Sequence, residues 1–402
     1  MTIHFNTINS FAQFYPKAKL PVQPVFDFST LNLKSSDNTH ASVFTKQGLF
    51  FGNARTCLAH AFALSGVNAD SAVLIPAYHC GSMVEPALWL NADVLLYQQD
   101  ADLSPNRKHL EKLLGDATKP VRALLLPHYF GFPQDIDYWR TFCDANKLKL
   151  IEDCAHAFFG TTSQGKTLGT GGHYSVASVR KFFCSPDGGI LIGEKLPSSI
   201  TATIKPDFRR QLHATLQMLL LAAEFGSLGK LGRLILLLDK YRTRLKPKPQ
   251  PQSAPATIAE TTAQWSWFDP DLMPVRGLDV SRLLMKYSHL QSIIDSRRRN
   301  YARLMAGIAG IPHVKPLFPE LPAHVVPYMF PVLLESGESG FDRLKHAGVP
   351  LWRWEELATS DCPVSQRYRL QLLQIPCHQN ITASQIDWII DQFSDILGKP
   401  KP

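Results

Sequence analysis

The chain lacks the cysteine spacings that hold together small secreted proteins or bind structural zinc. Its 402 residues include seven cysteines, an odd number, and no two of them form a C-x-x-C pair. Such usage is typical of reduced thiols and argues against a disulfide framework or a structural zinc site. We therefore expect a cytoplasmic protein, without a metal, whose core depends on apolar packing.

Long apolar runs are also missing. No uncharged run reaches the roughly 20 residues needed to span a bilayer, and the first residues, MTIHFNTINSFAQFYPKAKL, have no basic start followed by an apolar stretch. The sequence thus predicts neither a membrane span nor a signal peptide. Hydrophobic residues make up 45% and charged residues 19% of the chain, which is ordinary for a globular protein. At roughly 100–200 residues per domain, the length predicts two or three domains.

Net positive charge is scarce outside one segment. The net charge is +8, and residues 205–248 carry ten Lys or Arg against three acidic residues, a local net charge of +7. Few aromatic residues interleave with these charges, so we expect no nucleic-acid partner. Apolar residues recur at helical spacing in two stretches of 205–248, which predicts a helical insertion. This insertion either packs against the protein itself or its dimer mate, or makes a peripheral contact with an anionic membrane.

The remaining chain divides into segments of different character. Residues 1–40 are predicted to form an N-terminal segment and 41–275 a large domain, which includes the insertion and a proline-rich linker at 246–264. A smaller α+β domain is predicted for 276–402, with one long helix over 281–308.

Apolar strands alternate with stretches of helical length between residues 45 and 200. Such alternation predicts a mostly parallel sheet covered on both faces by helices, an α/β fold. Ligands of such sheets bind beyond the carboxyl ends of the strands. The polar residues that follow the apolar runs are therefore the candidates for a site, and they lie at Tyr78–Cys80, His128–Gly131 and Asp153–His156.

Lys181 poses a chemical question, because it lies between a strand-like run and the pair Gly188–Gly189. It could be a surface lysine beside a turn. The alternative is a Schiff-base lysine, which needs a carbonyl partner such as pyridoxal phosphate (PLP). A PLP site also needs an acid for the pyridine nitrogen, and Asp153 ends an apolar strand 28 residues earlier. An isolated Asp there could equally be a helix N-cap.

Donors for a phosphate and a residue that stacks on a ring are also available. Gly52 and Asn53 precede a predicted helix, whose free N–H groups would face a strand terminus. Arg55 adds a permanent charge suited to phosphate, and Tyr78 with His79 follows a strand. A helix cap, a solvated arginine and a core tyrosine would explain the same residues without a cofactor.

Taken together, these segments resemble the DegT-type (DegT/DnrJ/StrS) sugar aminotransferases, a branch of the aspartate aminotransferase-like, fold type I PLP enzymes. The stretch LIEDCAHAFFG…GKTLGTGGHYSVASVRKFFCSPDGG carries the family's Asp, a His three residues later, the Lys and the double glycine. NARTCLAHAFALSG resembles the phosphate-binding loop and its helix. The resemblance covers nearly the whole chain except roughly 205–270.

The resemblance implies a role for each candidate residue. Lys181 would hold PLP covalently and move protons, Asp153 would pair with the pyridine nitrogen, and His156 would contact the cofactor face or its 3-oxygen. Ser178 would bind the phosphate. Asn53-Ala54-Arg55 replaces the family's Ser-Gly-Thr, so Ala54, Arg55 and Thr56 form an altered phosphate loop in which Arg55 or Thr56 must compensate. Tyr78 and His79 lie in the loop that would cover the ring.

Two classes of function remain open at this point. In the first, the chain is a homodimeric PLP-dependent aminotransferase that transfers an amino group, from a donor such as glutamate, to a keto-sugar. That sugar would be nucleotide-linked and used in polysaccharide or amino-sugar biosynthesis. In the second, it is a non-catalytic or membrane-associated protein on an aminotransferase scaffold, as the altered loop and basic insertion suggest. A cysteine desulfurase is a weaker alternative that rests on Cys80 and Cys184.

Overall fold

A computed structural model describes residues 3–6, 15–32, 42–197, 200, 203–245, 268–335 and 338–398. Ten strands form two sheets. The larger sheet contains seven strands in the order β1-β7-β6-β5-β4-β2-β3 and the smaller contains three in the order β10-β9-β8. The strands are β1 (Leu49–Phe51), β2 (Ala72–Pro76), β3 (Asp93–Tyr97), β4 (Val121–Pro127), β5 (Lys149–Cys154), β6 (Tyr174–Ser178), β7 (Gly189–Gly193), β8 (Val314–Pro316), β9 (Met329–Leu334) and β10 (Leu372–Pro376).

Twelve helices accompany the strands in the described chain. They are α1 (Val43–Lys46), α2 (Ala54–Leu64), α3 (Gly81–Trp89), α4 (Arg107–Asp116), α5 (Ile136–Ala145), α6 (Phe208–Glu224), α7 (Gly229–Leu245), α8 (Asp279–Tyr287), α9 (Leu290–Ile308), α10 (Glu338–His346), α11 (Pro363–Gln371) and α12 (Ala383–Leu397).

The large sheet is mostly parallel. Strands β2 to β6 pair in parallel, whereas β7 pairs antiparallel with both β6 and β1. Successive residues of a strand face opposite sides. Val73 and Ile75 accordingly pack on one face with residues of α2 and α3, while Leu74 and Leu124 pack on the other with residues of α4 and α5. The predicted α/β fold, with its mostly parallel sheet covered on both faces, is confirmed.

The small antiparallel sheet belongs to the C-terminal part of the chain. Strand β9 pairs antiparallel with both β8 and β10, and α9 and α12 pack on each other beside this sheet. Buried residues of this part, such as Phe330 and Ile389, share one apolar cluster with Phe158 and Phe182 of the large sheet's connections. The C-terminal part therefore packs directly over the segment that contains Lys181.

The single helix predicted over 281–308 is wrong. The helical residues form α8 and α9, which are separated at Ser288, where ψ is 144° and the backbone is extended. The N-terminal segment crosses this break: the Asn32 N–H donates to the Tyr287 carbonyl (2.6 Å), and the His289 N–H donates to the Thr30 carbonyl (2.9 Å). Pairing with a distant segment thus replaces the helical hydrogen bonds, which no local pattern indicates.

The basic segment contains an antiparallel pair of helices, α6 and α7, that contact each other. The Asp207 side chain caps α6, and Gly226 and Gly229, both with positive φ, turn the chain between the helices. Within the described residues, no helix is long and apolar enough to cross a membrane. The predicted linker at 246–264 lies outside the described residues, and the predicted domain boundaries remain predictions.

Candidate active site

A cavity of about 340 Å³ lies beyond the carboxyl ends of β5 and β6. Its size falls within the roughly 300–1,000 Å³ of small-molecule sites. Residues singled out from the sequence line much of it: Asn53, Ala54, Arg55, Cys80, Asp153, His156, Ser178, Lys181 and Gly188. The sheet topology therefore brings together side chains that are more than a hundred residues apart in the sequence.

Lys181 ends a short turn, Val179–Lys181, that directly follows β6. Its side chain is partly exposed to the cavity, and its Nζ lies 5.5 Å from the ring centroid of Tyr328. Burial lowers the pKa of the Lys181 ammonium, although the nearby Asp153 carboxylate opposes this. A lysine with a lowered pKa carries more of the neutral amine that can attack a carbonyl.

Asp153 lies near the end of β5, between β4 and β6, and is almost completely buried. Its Oδ1 accepts a hydrogen bond from the Ala155 N–H (2.8 Å). Burial raises the pKa of the Asp153 carboxyl, while the positive charge of Lys181 acts against this rise. The carboxylate forms no ion pair with any cation of the described chain, so a cationic group in the cavity would stabilise its charged form.

Glu152, the neighbouring residue, faces the opposite side of the sheet, where its carboxylate connects β5 to the glycine-rich turn before β6. Its carboxylate accepts from the N–H groups of Gly169 (2.7 Å), Gly171 (3.0 Å) and Gly172 (3.0 Å), and it pairs with His128 Nε2 (3.0 Å). These bonds lower the pKa of Glu152 to about 2 in spite of its burial. The cluster of Glu152, His128 and Cys154 is accounted for by this network without a metal ion.

His156 lies among aromatic rings. Its centroid is 4.4 Å from that of Tyr328 and 5.6 Å from those of Phe130 and Trp354. Burial and the nearby Lys181 hold the pKa of His156 well below its usual value, so the imidazole is neutral. The Phe130 N–H donates to His156 Nδ1 (3.3 Å), which places the ring proton on Nε2.

The N-terminus of α2 forms the other end of the cavity. The Asn53 side chain caps this helix by accepting from the Thr56 N–H (2.9 Å) and the Thr56 hydroxyl (3.2 Å). Thr56 is thus buried and engaged with the cap, and it does not line the cavity. Arg55 and Ser178 do line it, and burial lowers the pKa of the Arg55 guanidinium. A helix N-terminus beside an arginine is suited to an anion.

The two residues proposed to cover a ring lie behind the cavity wall. His79 is completely buried, its Nε2 accepts from the Ala358 N–H (3.1 Å), and burial lowers its pKa to about 4. Tyr78 is also buried and stacks on Trp354, with ring centroids 5.1 Å apart. Trp354 lines the cavity in their place.

Several lining residues are not predicted from the sequence. Arg180 is the neighbour of Lys181, and the others come from distant segments: Gln23, Tyr328, Trp352, Trp354 and Gln374. The alternating pair Trp352 and Trp354 was the one local signal, since two tryptophans beside charged residues seldom occur in a featureless loop. Buried Gln23 Oε1 has no hydrogen-bond partner among the described residues, which is unusual for a buried polar atom. Gln23 is one of the lining residues, and its Nε2 donates to the Tyr328 hydroxyl (2.8 Å).

Comparison with known proteins finds a likeness to one family. Residues 40–196, the region that supplies Lys181, Asp153 and the α2 N-terminus, match the model of the DegT/DnrJ/EryC1/StrS aminotransferase family. Over these residues the chain is similar to that family. GDP-perosamine synthase of Vibrio cholerae is 29% identical over 150 residues, which are 37% of this chain and 40% of that relative. The chain thus spans about two fifths of the length of this curated relative.

Solved structures extend the likeness of the fold to most of the chain. Helicobacter pylori PseC, an aminotransferase involved in the biosynthesis of pseudoaminic acid, has a TM-score of 0.62 with 12% identity and covers 96% of this chain and 99% of its own. The PLP-form of Spr1654 from Streptococcus pneumoniae has a TM-score of 0.59 with 15% identity and covers 89% of this chain and 88% of its own. These two solved structures share the fold of most of this chain.

Proposed function

We propose that this protein is a PLP-dependent aminotransferase that transfers an amino group to a keto-sugar. The observation that carries the proposal is the position of Lys181 and Asp153 at the ends of neighbouring strands, both lining one cavity. It costs free energy of folding to bury a carboxylate that has no ion-pair partner, and the same holds for a lysine whose pKa is lowered by burial. A bound group that reacts with the Lys181 amine and pairs with the Asp153 carboxylate explains why both residues lie in one cavity.

The residues of the cavity fit PLP. The cofactor needs an amine for its aldehyde, an anion for its pyridine nitrogen and donors for its phosphate, and these are offered by Lys181, by Asp153, and by Ser178, Arg55 and the α2 N-terminus. Gln23, which lines the cavity, has a side-chain oxygen without a hydrogen-bond partner among the described residues, and this supports a polar ligand in the cavity. When bound, PLP supplies the electron sink for the bond cleavage at the amino-bearing carbon.

Each residue of the chain has a distinct task in this proposal. The Lys181 amine accepts and returns a proton at the amino-bearing carbon, for which its lowered pKa is suited. The Asp153 carboxylate holds a proton on the pyridine nitrogen by its charge. Neutral His156 donates from Nε2, and the rings of Trp354 and Tyr328 exclude water from one side.

The acceptor is proposed to be a nucleotide-linked keto-sugar, with an amino acid such as glutamate as the donor. The names of the relatives support this class, since GDP-perosamine synthase and PseC both concern amino sugars. The product would enter polysaccharide or amino-sugar biosynthesis. A panel of amino donors and keto-sugar nucleotides, followed by mass spectrometry of the products, identifies the pair.

Borohydride labelling tests the covalent site. Protein purified with PLP should absorb visible light, lose this absorbance on reduction with borohydride, and carry the label on Lys181 after peptide mapping. Lys181→Ala should lose both the label and turnover, whereas Lys166→Ala, outside the cavity, should keep both. A label on another lysine would falsify the assignment, and a colourless protein that binds no PLP would favour the non-catalytic scaffold.

We further propose that the protein is a homodimer with its site near the subunit interface, as its resemblance to the DegT-type family implies. Light scattering coupled to gel filtration should give twice the 45.0 kDa chain mass. A stable monomer with full activity would contradict this part of the proposal.

A further inference from the structure

The helices α6 and α7, which we call the basic hairpin, expose an unusual amount of apolar surface. Fifteen large apolar side chains are exposed in the described chain, and ten of them lie on this hairpin. Monomeric proteins rarely leave such residues clustered in one place unless the surface binds something. The basic hairpin therefore differs from the rest of the described chain, over which the remaining exposed large apolar side chains are scattered: Phe5, Phe28, Tyr138, Ile204 and Leu283.

The exposed residues of α7 form a continuous stripe. Leu231, Leu234, Leu238 and Tyr241 follow each other at intervals of three, four and three residues, which places them on one helix face. Their relative exposures are 46%, 53%, 61% and 64%, so the stripe points away from the protein. The opposite face of the hairpin packs inward through Ala222, Ala223 and Leu228 against the N-terminal segment and α8.

A row of cations runs beside this stripe. Lys230, Arg233 and Lys240 each lie one position away from a residue of the apolar stripe, and all three are exposed. None of them forms an ion pair with a carboxylate of the described chain, in contrast to Lys205, which pairs with Asp279 (3.1 Å). The cations therefore remain available to a negatively charged partner.

The contacts that hold the hairpin in place do not involve this outer face. Gly232 lies against Ala223, and a Cβ at Gly232 would come within 3.1 Å of the Ala223 Cα, so the helices pack closely through small residues. The Ser227 hydroxyl donates to the Phe26 carbonyl (2.7 Å), and Lys17 pairs with Glu224. The hairpin is thus a fixed platform of two 17-residue helices, each about 25 Å long.

We propose that the basic hairpin binds the surface of an anionic lipid bilayer, with the apolar stripe of α7 inserted at the level of the headgroups. A stripe of leucines beside a row of cations is the arrangement of interfacial helices, which lie in the plane of the membrane. Each cation near an anionic surface strengthens binding about fivefold. A second copy of the chain is a poorer occupant of this face, since a symmetric pairing of two hairpins would bring Lys230, Arg233 and Lys240 close to the same cations of the other copy.

Vesicle co-sedimentation of the full-length, PLP-loaded protein tests this proposal independently of the aminotransferase reaction. Vesicles of phosphatidylcholine alone are compared with vesicles that also contain phosphatidylglycerol, at low and high salt. We expect binding to the anionic vesicles only, weakened by salt. The double variant Arg233→Glu, Lys240→Glu and the double variant Leu234→Ser, Leu238→Ser should each bind at least about tenfold more weakly.

Matched controls separate the hairpin from general effects. Lys108→Glu with Lys112→Glu makes the same charge change on exposed α4, and Tyr138→Ser removes an exposed apolar residue of α5; both should bind as the parent does. Failure to bind either vesicle, or unchanged binding of both hairpin variants, would overturn the proposal. A change of mass in light scattering for Leu234→Ser, Leu238→Ser, without an effect on vesicle binding, would instead identify the stripe as an interface between copies and overturn it as well.

Discussion

Glu152 and Asp153 are adjacent on β5, yet their surroundings move their pKa values in opposite directions. Three glycine N–H groups and His128 hold the pKa of Glu152 at about 2, whereas burial raises the pKa of Asp153. Because neighbouring strand residues face opposite sides, one carboxylate is saturated with donors and the other faces the cavity. The Glu152 carboxylate therefore stabilises the fold, whereas the Asp153 carboxylate is available to a ligand.

Asp153→Asn tests the ligand role of the second carboxylate. Asn keeps the acceptor for the Ala155 N–H but cannot stabilise a positive charge in the cavity. We expect the variant to fold and to retain PLP, while turnover falls at least about a hundredfold, since each 1.36 kcal/mol is tenfold in rate. The measurement is a single-turnover rate beside Asp116→Asn, an exposed control. A near-parental rate in Asp153→Asn would remove the proposed role.

Glu152→Gln tests the structural role of the first carboxylate. Its pKa falls from 4.5 to about 2 on folding, so its contribution to stability is present above pH 4.5 and is lost as the pH falls toward 2. The contribution is about 3 kcal/mol. The thermal midpoint should therefore drop markedly in Glu152→Gln at pH 7, and the difference from the parent should shrink at pH 4. Exposed Glu320→Gln should leave the midpoint unchanged at both pH values; equal effects of the two variants would contradict the account.

At the scale of elements, local patterns predicted the large sheet and the helices around it well. Apolar runs and helical spacing predict α2, α3, α4 and α5 within a few residues, because these elements are amphipathic or fully buried in a regular layer. The break at Ser288 and the wall formed by Tyr328 and Trp354 depend on segments that meet only in the folded chain. The aromatic cover was accordingly assigned to Tyr78 and His79, which are near in sequence.

Gly189 connects two of the elements that build the cavity. A Cβ at this position would come within 2.3 Å of the Asn53 carbonyl carbon and oxygen, so only glycine lets β7 approach the start of α2. Gly189→Ala should displace the α2 N-terminus, lower the thermal midpoint and weaken PLP binding. Gly115→Ala is the matched control, because its Cβ meets nothing within 4 Å on α4, and it should be neutral or stabilise by up to about 1 kcal/mol. Equal PLP affinity in both variants would contradict this view of the loop.

At the scale of the whole molecule, a buried arginine joins the C-terminal part to the turn that contains Lys181, alongside Gln379, whose Nε2 donates to the Phe182 carbonyl (2.9 Å). Arg297 of α9 is completely buried and donates to the carbonyls of Lys181 (2.8 Å), Tyr328 (3.0 Å) and Pro327 (3.3 Å). Its guanidinium lies 4.4 Å from the Phe182 ring centroid, and burial lowers its pKa to about 10. Burying the Arg297 guanidinium against neutral carbonyls alone costs desolvation free energy. We infer that its hydrogen bond to the Lys181 carbonyl offsets this cost by fixing the backbone of the turn.

Arg297→Lys tests this coupling, because lysine keeps the charge but loses the planar fork that reaches three carbonyls at once. We expect the turn that contains Lys181 to become more mobile. Hydrogen exchange followed by mass spectrometry should therefore show faster exchange in the peptide that contains residues 179–183, while the peptides of the distant β2 and β3 remain protected. Arg299→Lys, an exposed change two residues away on the same helix, should leave the exchange of that peptide unaltered. If both variants exchange like the parent, the turn is fixed by its own strand β6, and the C-terminal part merely covers the cavity.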